Sequence, residues 1–123
     1  LLDGGFVATF STKQFRKGKA IVRQGTHGTS AFIIKKGTVE VTQEVDGQVR
    51  RICELTVNDI FGEMALISDK PRTATVRAIT ECEVAILTQK TFLKLPDKNP
   101  AVLRVKKIML ERIKGKKADP FTL

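Results

Sequence analysis

Glycine spacing is the strongest constraint on what this chain can fold into. Gly18, Gly25, Gly28, Gly37, Gly47 and Gly62 cut its first half into short segments. Turns at this regular, short spacing argue against strand–helix–strand crossover units, which take roughly 30 residues each. What fits is a succession of short strands. Residues 20–23, 31–34, 51–55, 73–79 and 84–87 are rich in β-branched and apolar residues, and Val39 and Val41 alternate with Glu40 and Thr42 at the period of a half-buried strand. The run from Val41 to Cys53 breaks at Asp46-Gly47, a dipeptide suited to the positive φ angles of a two-residue hairpin turn. Many short strands joined by turns predict a sandwich or barrel.

The pattern changes after residue 98. Asn99 suits an N-cap and Pro100 a first helical position. Val102, Val105, Met109 and Ile113 then recur at spacings of three, four and four, one face of an amphipathic helix, with Gly115 as a stop. Residues 91–95 suggest a shorter helix before it. The expected division is a β-rich body over 1–98, a helix over 99–114 and a tail or linker over 115–123. With 123 residues and 41% hydrophobic content this is one domain with one core. The chain opens at Leu1 without a methionine, as a piece of a larger protein would.

Charge and cysteines narrow the function classes. The net charge of +9 is uneven: residues 98–123 hold eight Lys/Arg against Glu111 and Asp119, leaving the preceding residues only mildly basic. The basic run at 114–117 could meet phosphates without sequence specificity, or be a solvated linker; no sequence-specific nucleic-acid binding is expected. No apolar run reaches the roughly 20 residues of a membrane span, and no secretory signal opens the chain. Cys53 and Cys82 lack metal or redox spacing and are expected to be reduced, buried small hydrophobes, consistent with a cytoplasmic protein. His27 is the sole histidine, with no partner for a metal site or relay. No nucleophile–base pair, metal spacing or nucleoside-triphosphate loop is present, so neither an enzyme nor a metal or cofactor protein is expected.

The stretch with chemistry is residues 61–76, Phe-Gly-Glu-Met-Ala-Leu-Ile-Ser-Asp-Lys-Pro-Arg-Thr-Ala-Thr-Val. Gly62 allows close backbone approach to a ligand and opens a helix-prone run, whose first amides are unpaired donors favouring an anion. Arg72 then supplies a planar, permanently charged fork matched to two phosphate oxygens. Glu63, ionised, can accept a hydrogen bond from a sugar hydroxyl. Amides, one arginine and one carboxylate suit a monoanionic phosphate joined to a ribose.

This segment resembles the phosphate-binding cassette of the cyclic-nucleotide-binding domain family, which includes catabolite-activator-type regulators, cyclic-nucleotide-dependent kinases and cyclic-nucleotide-gated channels. The family pattern, F-G-E-x-A-L, a variable loop, then P-R-x-A-x-V, is met at every fixed position. The resemblance extends to Phe15-Arg16-Lys17-Gly18 and Gln24-Gly25, to Phe32-Ile33-Ile34 with the glycine-marked hairpin around Gly37, and to Glu81-Cys82-Glu83-Val84-Ala85, about residues 6–95 in all.

The resemblance implies a mainly β fold with flanking helices: an eight-stranded, jelly-roll-like antiparallel barrel plus the C-terminal amphipathic helix. It implies that Glu63 binds ribose, that Arg72 binds the phosphate, and that Gly62, Met64 and Ala65 supply backbone donors. Thr73, next to the arginine, can hydrogen-bond a syn guanine as well as hold the phosphate, so cGMP is allowed beside a slightly favoured cAMP. Val39, Val41 and Ile52 are candidate walls for the base, though each fits an ordinary core equally. Ile108, Met109 and Arg112 are candidate lid residues on the C-terminal helix, which in the family closes over the base. The implied function is a regulatory sensor that switches an attached or associated effector, with no membrane insertion of its own. The alternative is the ligand-binding piece of a catabolite-activator-type transcription regulator whose DNA-binding part is absent.

Overall fold

The computed structural model describes residues 10–98 and the backbone of residues 100–113, with side chains for 100 and 102–110. The expected cap at Asn99, the side chain of Arg112 and the tail over 115–123 lie outside the described residues. Among the described residues the eight strands are β1 (Ser11–Phe15), β2 (Ala20–Val22), β3 (Ala31–Lys36), β4 (Val39–Val45), β5 (Gln48–Leu55), β6 (Ile60–Phe61), β7 (Thr75–Ala78) and β8 (Cys82–Leu87). A 3₁₀ turn, Glu63–Leu66, sits between β6 and β7, and α1 (Gln89–Phe92) and α2 (Pro100–Ile113) follow β8.

The strands form two four-stranded sheets, ordered β1-β8-β3-β6 and β2-β7-β4-β5. The pairs β1·β8, β2·β7, β3·β6 and β4·β5 are all antiparallel. The chain is therefore one long hairpin ribbon, rolled so that β3 also meets β8 and β4 also meets β7. That is jelly-roll topology. The expected barrel is corrected in one respect: the two sheets are not closed by a continuous ladder. The ribbon bends between sheets at corners, and each bend interrupts strand pairing. Isolated bonds hold the corners instead, from the Gly18 amide to the Ala78 carbonyl (2.7 Å) and from the Asn58 amide to the Ile34 carbonyl (2.8 Å). The corner glycine Gly37 sits at φ +93°, where a side chain would strike the Glu81 carbonyl.

The two sheets read differently in sequence because they are buried differently. One face of the β1-β8-β3-β6 sheet meets the other sheet, through Ile34, Phe61, Cys82 and Val84 packed with Val22, Val39, Val76 and Ala78. Its opposite face carries Ala31 and Leu87 and packs against helix residues Phe92, Val102, Val105, Ile108 and Met109. Covered on both sides, β3 and β8 are near-continuous apolar runs. The β2-β7-β4-β5 sheet packs on one face, which produces the alternation at Val39–Thr42 and at Val76 and Ala78 against Thr75 and Arg77.

Local chemistry sets the remaining boundaries. Asp46 and Gly47 hold φ of 54° and 79° in the hairpin between β4 and β5, as the dipeptide predicts. The short helix begins earlier than the expected residues 91–95. Thr88 and Thr91 form a reciprocal cap, with the Thr91 amide donating to Thr88 Oγ1 (3.2 Å) and the Thr88 amide to Thr91 Oγ1 (2.8 Å). In α2, Lys106 reaches back with Nζ to the Leu95 carbonyl and to Asp97 Oδ1 (2.5 Å), pinning the helix to the α1–α2 connection.

Candidate functional site

The site begins with a turn that cannot be an ordinary strand exit. Gly62 ends β6 at φ +75°, a left-handed conformation that β-branched residues avoid, and its carbonyl accepts from the Ala65 amide (3.1 Å) to start the 3₁₀ turn. The amides of Ala65 and Ile67 bond back into the turn, and outside the regular elements no backbone bond among the described residues uses those of Gly62 and Met64. Of the three expected backbone donors, Ala65 is thus engaged within the turn. Leu66 and Ile67, almost fully buried, anchor the turn in the helix-side core. Gln89 Nε2 of α1 donates to the Leu66 carbonyl (2.7 Å), satisfying an acceptor at the end of the turn.

Arg72 arrives from the other side. Its amide donates to the Thr26 carbonyl and its carbonyl accepts from the Gly25 amide, both at 2.8 Å, so its backbone is tied to the turn after β2. The guanidinium donates through Nη2 to the Ser30 carbonyl (3.0 Å) and more weakly through Nη1 to the Gly62 carbonyl (3.4 Å). It lies over the Phe32 ring, 5.8 Å from the centroid, and that ring stacks on Phe61 at 5.1 Å. Burial pushes the arginine pKa down, but a guanidinium stays protonated at any physiological pH. Among the described residues no carboxylate pairs with it. Two carbonyl oxygens solvate this cation without neutralising it.

Gly62, Glu63, Met64, Ala65, Arg72 and Thr73 all line one cavity of about 400 Å³, whose further wall is formed by Val41, Cys53, Leu55 and Val76. That volume lies within the roughly 300–1,000 Å³ typical of small-molecule sites. Burial raises the Glu63 carboxyl above its usual range, opposed by a backbone hydrogen bond and by the field of Arg104 on α2. Two cations, Arg72 and Lys70, one acid and a turn with spare amides therefore line a shared, largely apolar space.

The candidate base and lid residues are less united. Val41 lines the cavity, but Val39 is wholly buried between the sheets, a layer deeper, packed with Ile34 and Val84. Ile52 is not a wall. β5 bulges there, with Val41 opposite Cys53 and Thr42 opposite Arg51, so Ile52 is unpaired and half-exposed. Cys53 takes the inward position, which also corrects the expectation that both cysteines are buried: Cys53 is exposed, whereas Cys82 is buried, with Sγ against the Thr38 carbonyl (3.3 Å). Ile108 and Met109 pack in the helix-side core with Leu66 and Ile67, away from the cavity. Sequence reading also misses Ser30 and Phe32, which hold the guanidinium, and Gly28, which leaves room for it and stands out only as one glycine among several.

Residues 12–99 match the family described as cyclic nucleotide-binding domain. The cAMP-dependent protein kinase regulatory subunit of Candida albicans is 40% identical over 85 residues, covering 69% of this chain and 18% of that protein. The cGMP-dependent protein kinase egl-4 of Caenorhabditis briggsae is 42% identical over 81 residues, 63% of this chain and 11% of that one. The chain thus spans under a fifth of these relatives' length. Among solved structures, the regulatory domain of Toxoplasma gondii PKA with cAMP superposes with a TM-score of 0.65 at 30% identity, over 85% of this chain and 38% of that one.

Proposed function

The chain belongs to the cyclic nucleotide-binding domain family, and from that premise we propose that its cavity takes cAMP or cGMP and reports occupancy through α2 to an effector. The observation that carries this reading is the half-buried Arg72 guanidinium, without a carboxylate partner among the described residues, facing the cavity that Glu63 also lines. A cyclic phosphate carries one negative charge, which Arg72 neutralises. The spare amides of Gly62 and Met64 take the remaining oxygens, and Glu63 accepts from the ribose 2′-hydroxyl. Nothing in this arrangement activates water or a leaving group, so the nucleotide is bound and released unchanged.

The route to α2 is a shared core. Leu66 and Ile67 of the turn pack in the same cluster as Val102, Val105, Ile108 and Met109 of α2, and Gln89 ties α1 to the turn. A phosphate that draws the turn toward Arg72 must move Leu66 and Ile67, and α2 repacks in answer. The ligand biases this equilibrium only by its differential affinity for the two arrangements. In the reducing cytoplasm both thiols would stay free.

Calorimetric titration with cAMP, cGMP and AMP tests the reading. Both cyclic nucleotides should bind, with acyclic AMP, a dianion lacking the ring, far weaker. Equal affinity for all three, or conversion of cAMP to AMP during incubation, would refute it.

A further inference from the structure

Gly28 has no backbone reason to be glycine: the left-handed glycines are Gly18, Gly25, Gly37, Gly47 and Gly62, and Gly28 is not among them. Its reason is space. A β-carbon placed there would overlap Nη2 of Arg72 and press on the guanidinium carbon and Nε, each 3.2 Å away. The three atoms nearest that position all belong to this one cation. The Ser30 carbonyl, two residues on, accepts from the same Nη2 at 3.0 Å, and the Phe32 ring lies beneath the group. Gly28 and Arg72 line the same cavity. Because the Arg72 backbone is held on both sides by Gly25 and Thr26, its side chain can answer an obstruction only by swinging its head.

We infer that Gly28 is a positioning residue for phosphate recognition, its absent side chain forming the slot that aims the Arg72 guanidinium into the cavity. The inference rests on the reading of Arg72 as the phosphate partner. The obstructing atoms are the far end of a flexible side chain rather than backbone. A methyl group at position 28 is therefore accommodated by the fold, and the displaced cation bears the consequence.

The test is a double-mutant cycle of Gly28→Ala and Arg72→Lys, read by calorimetry with cAMP and cGMP. Lysine carries a compact ammonium on a flexible stem and has no planar fork to collide with the methyl. Gly28→Ala alone should weaken both nucleotides about tenfold, the worth of one charge-assisted hydrogen bond, while the thermal midpoint of the ligand-free protein stays put. In the Arg72→Lys background the same change should alter affinity by less than about twofold. A second measurement needs no ligand: the Nε–H resonance of Arg72, assigned by its loss in Arg72→Lys, should shift in Gly28→Ala. Equal losses in both backgrounds, or an unmoved resonance, would overturn the inference. A wild-type protein that binds neither nucleotide would overturn the reading of the site instead.

Discussion

Replacing Arg72 by alanine removes the one arginine that lines the cavity among the described residues, leaving Lys70 in its lining. A hydrogen bond to a charged group contributes about 1.5–3 kcal/mol, and a fork can make two to one phosphate. Coulomb attraction between unit charges 4 Å apart at an effective dielectric of 20 is about 4 kcal/mol; this describes the same contact and is not added. Against it stands a weakening, not a loss, of the bonds to the Ser30 and Gly62 carbonyls, about 1 kcal/mol, because the five N–H donors of a guanidinium can serve carbonyl and phosphate together. The net is about 3 kcal/mol, or roughly two decades of affinity. The phosphate is common to both ligands, so cAMP and cGMP should weaken by the same factor. Thermal unfolding reads this directly. Ligand at about 100 times the wild-type Kd stabilises the wild type by about 2.7 kcal/mol. For the variant that concentration is about its own Kd, and the gain falls to about 0.4 kcal/mol. A loss below about threefold by calorimetry, or a loss confined to one nucleotide, would show that the guanidinium does not carry the phosphate.

Glu63→Gln should move stability and binding in opposite directions. A carboxyl whose folded pKa is raised by burial holds its proton in the native state where the unfolded chain has lost it. Its contribution to stability therefore falls as pH rises from the ordinary carboxylate value through the raised one. At pH 7 the glutamine variant should melt higher than the ligand-free wild type, the advantage should vanish at pH 4, and both nucleotides should bind more weakly; a lower melting point at pH 7 would refute the burial argument. Wild-type affinity should itself decline as acid protonates Glu63, because a neutral carboxyl is a poorer acceptor for the ribose hydroxyl. Thr73→Ala should weaken cGMP by up to about tenfold, one neutral hydrogen bond, and cAMP less; equal losses would mean the hydroxyl reads only the phosphate. Cys53, exposed on the cavity wall, should react with a maleimide and be protected by bound nucleotide, while Cys82 should react only on unfolding; mass spectrometry of the labelled peptides distinguishes them.

The parts of this fold legible in sequence are those where one local rule acts alone. The Asp46-Gly47 turn and the apolar stripe of α2 follow from φ preference and helical period, and the residues of 61–76 are adjacent in the chain. What escapes sequence reading depends on partners distant in sequence. Val39 and Val41 have the same alternation, and only the pairing of β4 with β5 and β7 separates a core valine from a cavity wall. Cys53 shares the inner face of β5 with Leu55 by plain alternation, opposite Val41, and the register shift beyond it leaves Ile52 unpaired. β1, with the sequence Ser-Thr-Lys-Gln-Phe, has no apolar alternation because it lies at a sheet edge and is exposed along most of its length. The cradle of Arg72 comes from the loop before β3 and from β3 itself, so nothing around position 72 announces it.

The same geometry explains why the sequence leaves cAMP and cGMP unresolved. The polar groups of the cavity concentrate where phosphate and ribose would lie, at Gly62, Glu63 and Arg72, and those parts are identical in the two ligands. The opposite wall offers Val41, Leu55, Val76 and the thiol of Cys53, which would exclude water from a purine of either kind and, the thiol being only a weak donor, would discriminate little between an amino group and a carbonyl. In the proposed binding mode discrimination would fall on the Thr73 hydroxyl and on any group that α2 contributes. The first is worth at most about one decade. A selectivity of more than about a hundredfold would require a further donor or acceptor, and Arg104 of α2, whose field reaches Glu63, is the described helix position at which substitution should reduce it.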